Sequence, residues 1–350
     1  MAEKPAVAVA LSGGVDSAVA AALLVRQGWQ VLGVHLRLSE AGAPGKQLTA
    51  LAHSLGISLI ELDLRREFTA RVVKYFVSEY SRGHTPNPCV QCNAAIKFGY
   101  LWEHLRSQGV SYLATGHYVR LKPDAQGTLG LYRGRDRTKD QSYFLCRLPR
   151  QLLPHLIFPL GEMTKKEVRT RYHDLGLPSA PSCRESQEIC FLEGQPYQEF
   201  LRSYRGGRGQ AGDLVDRQGR VLGRHRGIIG YTVGQRRGLG VPAREPYYVL
   251  EIQPETHRVV IGPKAELYSV GLLAHQVNWL IDPPSKELEA RAVIRYRHPG
   301  VSARLIPLGP TEIKAVFATP QAAVAPGQAV AFYLNDQLLG GGWIERRLAG

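Results

Sequence analysis

The feature that most restricts the fold is Ser12-Gly13-Gly14-Val15-Asp16-Ser17, set between a short apolar run at residues 5–11 and an Ala-rich apolar run at 18–27. A run too short to be a stable helix, a glycine turn and a helix of small residues make a strand–loop–helix unit. Paired glycines let the chain turn tightly and bring its N–H groups against phosphate oxygens, and the helix that follows adds its positive N-terminal end. Ser12 and Ser17 supply hydroxyls, and Asp16 supplies a carboxylate that suits Mg2+ beside a nucleotide. The loop is built for pyrophosphate. It is neither Gly-x-x-x-x-Gly-Lys-Ser/Thr nor Gly-x-Gly-x-x-Gly, so the two commonest nucleotide loops are excluded.

The same alternation continues downstream. Strand patterns at 30–36, 57–62 and 112–119 interleave with helical patterns at 48–55, 67–80 and 94–106. This order predicts an α/β domain with a doubly wound parallel sheet. Residues 148–204 read as mainly helical, with the capping pattern Thr164-Lys165-Lys166-Glu167 opening a helix that Gly176 and Pro178 stop. Beyond a Gly- and Arg-rich stretch near 205, short strand patterns at 247–252, 258–261, 291–296, 312–317 and 329–334 alternate with Pro and Gly turns. The expected division is a nucleotide-binding domain at 1–204, a small β-rich linking domain at 205–270 and a C-terminal β-barrel at 271–350.

Charge points to the partner class. With 44 Lys and Arg against 30 Asp and Glu, the net charge of +14 favours a polyanion, and the excess is densest after residue 200. The N-terminus lacks the pattern of a signal peptide and no stretch approaches a membrane span, so a cytoplasmic protein without a membrane partner is expected. In a reducing compartment the five cysteines read as reactive thiols, metal ligands or small core residues.

Cys89 and Cys92 sit in Asn87-Pro88-Cys89-Val90-Gln91-Cys92-Asn93, which leads into the 94–106 helix. A thiolate at a helix N-terminus is stabilised by the dipole, so Cys92 is placed to be nucleophilic. Cys190 follows in Ser186-Gln187-Glu188-Ile189-Cys190-Phe191, while Cys146 and Cys183 read as buried or incidental. Arg236 and Arg237, in a glycine-bordered loop, suit phosphate contacts, and the Tyr296-Arg297-His298 run suits stacking on unpaired bases.

SGGVDS after a first strand resembles the signature of the PP-loop ATP pyrophosphatases. Ordered with it along the chain are NPCVQCNAAIKF at 87–98, ATGHY at 114–118, KDQSYFL at 139–145, ESQEICF at 185–191, GYTVGQRRGLG at 230–240 and IRYRHPG at 294–300. Together these motifs resemble the bacterial tRNA-uridine 2-sulfurtransferases, the MnmA family. The resemblance implies Leu11 to Ala18 as the phosphate loop, with Leu36 and Gly116 around the nucleotide, and ATP with Mg2+ as requirements. It implies Asn87, Pro88 and Cys89 beside the target base. It further implies tRNA contacts from His117, Lys139, Asp140 and Gln141 at the active face, and from Arg295, Tyr296 and Gln328 on the barrel. In the implied reaction ATP adenylates O2 of the wobble uridine, Cys190 carries a persulfide received from a sulfur-relay protein, and Cys92 attacks it, leaving a Cys92–Cys190 disulfide.

One departure opens a second chemistry. Cys89 stands where familiar members of that family have an aspartate, which creates Cys-x-x-Cys plus a distant Cys190. Three thiolates can hold a 4Fe-4S cluster with one open iron that binds inorganic sulfide. Half of a zinc site is a third use of the pair, without a matching second pair downstream. Two other functions stay open: a PP-loop ligase that needs neither Cys92 nor Cys190, and a non-catalytic RNA-binding or iron–sulfur carrier protein.

Overall fold

The computed structural model describes residues 5–40, 45–124, 127–178, 189–204, 206–207, 209–242 and 244–349. The chain divides into two compact units, one of residues 1–72, 89–187 and 336–339 and the other of 73–88, 188–335 and 340–350.

The first unit is built on β1 (Ala6–Ala10), α1 (Val15–Arg26), β2 (Gln30–Arg37), α2 (Lys46–Leu55) and β3 (Ser58–Asp63). β4 (Tyr112–Ala114) follows, then the hairpin β5 (Val119–Pro123) and β6 (Leu129–Arg133), and β7 (Leu156–Ile157). The sheet order β3-β2-β1-β4-β7 is parallel throughout. Val7, Ala8 and Val9 are fully buried because both faces of β1 are covered, which is why the run shows no alternation. Val19, Ala20 and Leu24 of α1 pack on one face with Val168 and Tyr172 from the helix Lys165–Asp174. Small side chains let α1 lie close to the sheet.

Three local expectations are corrected. β4 stops at Ala114, not 119, because Thr115–Tyr118 turn away before β5 begins. The cysteine helix starts at Pro88, not at 94, and runs through a π-helical stretch, Asn93–Tyr100, to Ser107. Proline's fixed φ and missing N–H suit a helix's first turn, so a proline read as a loop residue is the start signal. Among the described residues between 148 and 204, only Lys165–Asp174 and Tyr197–Tyr204 are α-helical, with 3-10 segments at Arg150–His155 and Cys190–Leu192.

The second unit carries β8 (Gly212–Val215), β9 (Val221–His225), β10 (Tyr248–Gln253) and β11 (Arg258–Gly262) in a sheet ordered β10-β11-β8-β9. A barrel of β12 (Tyr268–Trp279), β13 (Leu288–Val293), β14 (Val301–Gly309), β15 (Glu312–Ala322), β16 (Ala329–Leu334) and β17 (Gln337–Leu348) follows. It runs β12-β15-β14-β13-β16-β17 and closes through β12 against β17. The start of β17 also pairs with β6, Gln337 with Tyr132 and Leu338 with Leu131, so the sheet continues into the β5–β6 hairpin. The expected strand at 291–296 ends at Val293, so Arg295 and Tyr296 lie in the turn that follows.

The helix Lys74–Ser81 packs with this second unit. Phe76 meets Phe191 and Phe200 edge-on at centroid distances of 5.2 and 6.2 Å, and Tyr80 stacks on Tyr197 at 4.8 Å. Among the described residues no helix is long and apolar enough to cross a membrane.

Candidate active site

The carboxyl ends of β2, β1 and β4 lie side by side, and β1 is where the strand order reverses. Sheets of this kind bind ligands at that edge. Leu11 leaves β1 with its N–H donating to Val34 O at 2.8 Å, and its carbonyl lies 3.0 Å from His35 Nδ1. Leu36 sits one residue further along β2, partly exposed.

The turn itself is braced by serine. Gly13 adopts φ +80°, which a side chain resists, and Gly14 is the extended N-cap of α1. Ser17 Oγ donates to Gly14 O at 3.0 Å and accepts from Ser12 N at 3.2 Å. The first intrahelical bond is Ala18 N to Gly14 O, 3.2 Å, so the N–H groups of Val15, Asp16 and Ser17 have no acceptor within the helix. The arrangement offers an anion several backbone donors at the positive end of a dipole.

Gly116 fixes the depth of this cradle. A Cβ there would lie 2.9 Å from Asp16 C and 3.0 Å from Ser17 N, so the chain after β4 touches the start of α1 backbone to backbone. Tyr118 OH donates to Asp16 Oδ1 at 2.7 Å, and Lys165 Nζ donates to Asp16 Oδ1 and Oδ2 at 2.6 and 2.8 Å. Burial, and next the Asp16 carboxylate, push the Tyr118 phenol far above its usual range, so it stays a donor.

The thiol-bearing helix reaches the same edge. Phe98, six residues after Cys92, packs on the His117 ring at 5.9 Å, and Phe158 meets both rings, edge-on to His117 at 6.3 Å and 6.2 Å from Phe98. His117 Nδ1 is 2.7 Å from Thr115 Oγ1. Its ring keeps some surface, yet enough protein surrounds it that burial, helped by Lys97, lowers its pKa to about 3. His117 is therefore a neutral hydrogen-bonding group at physiological pH.

Cys89 lies in the first turn of its helix and is partly exposed, whereas Cys92 is buried and one turn further in. The helix dipole thus acts more directly on Cys89 than on Cys92. Asn87 and Pro88 are buried; they belong to the second unit and Cys89 to the first. Cys190 is exposed in the second unit, at the start of the 3-10 turn Cys190–Leu192, while Ile189 and Phe191 pack against that unit's core. Cys146 is fully buried, and burial pushes its thiol up to about 12, which makes it inert. None of these four cysteines is in a disulfide. Cys183 and residues 185–188 of the ESQEICF motif lie outside the described residues.

The KDQ segment turns out to be woven into the fold. Asp140 is buried and accepts from Gly134 N, Arg133, Ser142 N and Ser142 Oγ at 3.0 to 3.2 Å. Gln141 Oε1 accepts from Tyr118 N at 3.0 Å, which holds the tyrosine against Asp16. Lys139 keeps partial exposure beside them.

In the barrel Arg295 and Tyr296 are exposed, and the Arg297 guanidinium stands 5.6 Å from the Tyr296 ring centre. His298 departs from the stacking expectation: it is buried, with Nε2 3.0 Å from Gln321 Oε1 and Nδ1 accepting from Gly300 N. Gln328 Oε1 is buried without a hydrogen-bond partner. Arg236 and Arg237 are exposed.

Asp16 is the sole carboxylate of the 11–18 loop, and Mg2+ is commonly held by one or two carboxylates plus substrate phosphates, so the donor set fits a nucleotide-borne Mg2+. Among the described residues no three His, Cys, Asp or Glu side chains are grouped to hold a metal ion.

Sequence reasoning missed Lys165, read only as part of a capping pattern, and the role of Tyr118. The signal available for both was indirect: a phosphate loop with one acid and no base of its own.

Residues 5–194 match the tRNA methyl transferase HUP domain family, 198–263 the tRNA methyl transferase PRC-barrel domain family and 269–344 the aminomethyltransferase beta-barrel domain family. The tRNA-specific 2-thiouridylase MnmA of Carboxydothermus hydrogenoformans is 45% identical over 98% of each chain. The proteins of the same description from Pelobacter propionicus and Chlorobium chlorochromatii are each 44% identical, over 97% of both chains and over 96% and 97% respectively.

Proposed function

Because the chain belongs to the tRNA-specific 2-thiouridylase MnmA family, and is thus a sulfurtransferase acting on a tRNA uridine, we propose that it adenylates O2 of the wobble uridine and delivers sulfur through Cys190 and Cys92. The observation that carries the reading is the juxtaposition at one sheet edge of a phosphate cradle, Ser12 to Ser17, with the helix that bears Cys92.

In this reading ATP lies along the carboxyl ends of β1, β2 and β4. Leu11 to Ala18 hold its phosphates, while Leu36 and Gly116 flank the rest. Bound Mg2+ would share Asp16 with the phosphates and neutralise charge on the departing pyrophosphate. Uridine O2 attacks the α-phosphorus and pyrophosphate leaves, which makes C2 electrophilic. Cys190 carries a persulfide supplied by a sulfur-donor protein. The Cys92 thiolate attacks the Cys190 sulfur of that persulfide, forming a Cys92–Cys190 disulfide and releasing hydrosulfide. Hydrosulfide adds at C2 and AMP departs, and an external thiol reduces the disulfide.

Neutral His117 and Lys139 face the RNA as donors, Asp140 and Gln141 hold the loop that presents them, and Asn87, Pro88 and Cys89 line the base. Arg295, Tyr296 and Gln328 grip tRNA from the barrel. The division of labour follows the segments 1–204, 205–270 and 271–350, and the reaction takes place in the cytoplasm with other tRNA processing. No observation favours sulfide on a 4Fe-4S cluster over the relay.

The test is anaerobic purification with iron analysis, then incubation with ATP, a sulfur source and unmodified tRNA transcript, and mass spectrometry of the nucleosides. The expected result is 2-thiouridine with stoichiometric AMP and no iron. ATP turnover without a thiolated nucleoside would overturn the reading.

A further inference from the structure

The phosphate loop contains an acid but no base. From Leu11 to Ala18 the only charged side chain is Asp16, so a triphosphate placed there meets dipoles and one like charge. Phosphate cradles normally add a cation. The cation that reaches this loop comes from 149 positions later: Lys165 Nζ lies 2.6 and 2.8 Å from the two Asp16 oxygens and 5.9 Å from the Tyr118 ring centre. The Lys165 side chain is only 17% exposed, so its charge is compensated by that carboxylate rather than by water.

The lysine is held by its own backbone. Thr164 caps the helix that starts at Lys165, with Oγ1 accepting from Glu167 N and Glu167 Oε2 accepting from Thr164 N at 2.6 Å. Lys165 N donates to Asp136 Oδ2 at 2.9 Å. With the main chain pinned, four methylenes remain to swing the ammonium across a short arc. Tyr118 OH keeps Asp16 in place during that movement, and Gln141 in turn keeps Tyr118.

Resting on the ATP reading above, we propose that Lys165 is the polyphosphate-binding cation of this site. In the nucleotide-free protein it is paired with Asp16, and it transfers to the β- and γ-phosphate oxygens when ATP enters, leaving Asp16 to the Mg2+ that the nucleotide brings. The ion pair acts as a placeholder: it keeps a lysine and an aspartate in position until a ligand offers each a new partner. The lysine exchanges one anion for another, so no net charge is buried by the exchange.

The test is equilibrium binding of a non-hydrolysable ATP analogue and of AMP, by calorimetry without tRNA, to the wild-type chain and to Lys165→Met, Lys165→Gln and Lys165→Arg. Loss of one charge-assisted contact to phosphate predicts about ten- to a hundredfold weaker analogue binding in Lys165→Met and Lys165→Gln, with partial recovery in Lys165→Arg. AMP, which lacks the β- and γ-phosphates, is expected to bind all four proteins alike. The ratio of the two affinities does not depend on what fraction of a variant is folded. Equal weakening for AMP and analogue assigns Lys165 a purely structural role and overturns the proposal, as does an unchanged analogue affinity. Wild-type protein that binds neither nucleotide would instead sink the ATP reading itself.

Discussion

Substituting Gly116 by Ala tests whether the contact between the β4 exit and α1 sets the phosphate cradle. The added Cβ would sit 2.9 Å from Asp16 C, 3.0 Å from Ser17 N and 3.2 Å from Asp16 O, where ordinary contact begins at 3.4 Å. All three atoms are backbone and cannot rotate away, so the start of α1 must retreat by about 0.5 Å, the shortfall between 2.9 and 3.4 Å. Gly116 has no left-handed φ, so the effect is purely steric. Overpacking of this kind costs about 1–3 kcal/mol of stability. Because ~1 Å of misplacement costs ~100-fold in rate, a shift of about half that size is expected to cost roughly tenfold in kcat/KM for ATP. Urea denaturation and ATP-dependent AMP release with tRNA measure the two effects. Gly309→Ala, where a Cβ meets nothing within 4 Å and φ is not left-handed, is the control and should lose no more than about 0.5 kcal/mol. Wild-type stability and kinetics in Gly116→Ala would refute the claim that this contact positions the loop.

Thr164→Ala removes the capping box beside Lys165 and is expected to cost about 1 kcal/mol in a urea melt, with a rise in KM for ATP as the helix start loosens. His117 has a folded pKa of about 3 against an ordinary 6.5, so the native state prefers the neutral ring. Its stabilising contribution is complete above pH 6.5 and is lost as the pH falls from 6.5 toward 3; His117→Gln should flatten that part of the stability–pH curve, and an unchanged slope would argue against the burial described. Alkylation followed by peptide mapping should modify Cys190 first, Cys89 next and Cys92 slowly, with Cys146 untouched until the chain unfolds.

Local patterns marked what local chemistry decides. The glycine turn of residues 12–17, the buried run of β1 and the Thr164–Glu167 capping box all depend on neighbours within a few positions, and each appears where the sequence placed it. What stayed hidden was set by distant contacts. Lys74–Ser81 reads as an ordinary amphipathic helix of the first domain, yet Phe76 and Tyr80 find their partners beyond residue 190. Nothing near Lys165 hints at Asp16, because the pair is assembled by a crossover of 149 residues. The thiol helix begins at Pro88, ahead of the 94–106 pattern, because proline suits a first helical turn even though it interrupts the apolar periodicity. His298 shows the converse: a surface-looking Tyr-Arg-His run sends its histidine inward to staple a turn.

The proposed route takes sulfur through Cys190 and Cys92 to an ATP-activated uridine. Its most direct measurement is a single turnover of persulfide-loaded protein with ATP and tRNA transcript, without reductant, followed by nucleoside mass spectrometry and disulfide mapping. The expected result is one 2-thiouridine and one AMP for each enzyme, with a peptide crosslinking Cys92 to Cys190, and no thiolated nucleoside from Cys190→Ser. Thiolation at the wild-type yield by Cys190→Ser, or turnover that leaves both thiols reduced, would contradict it.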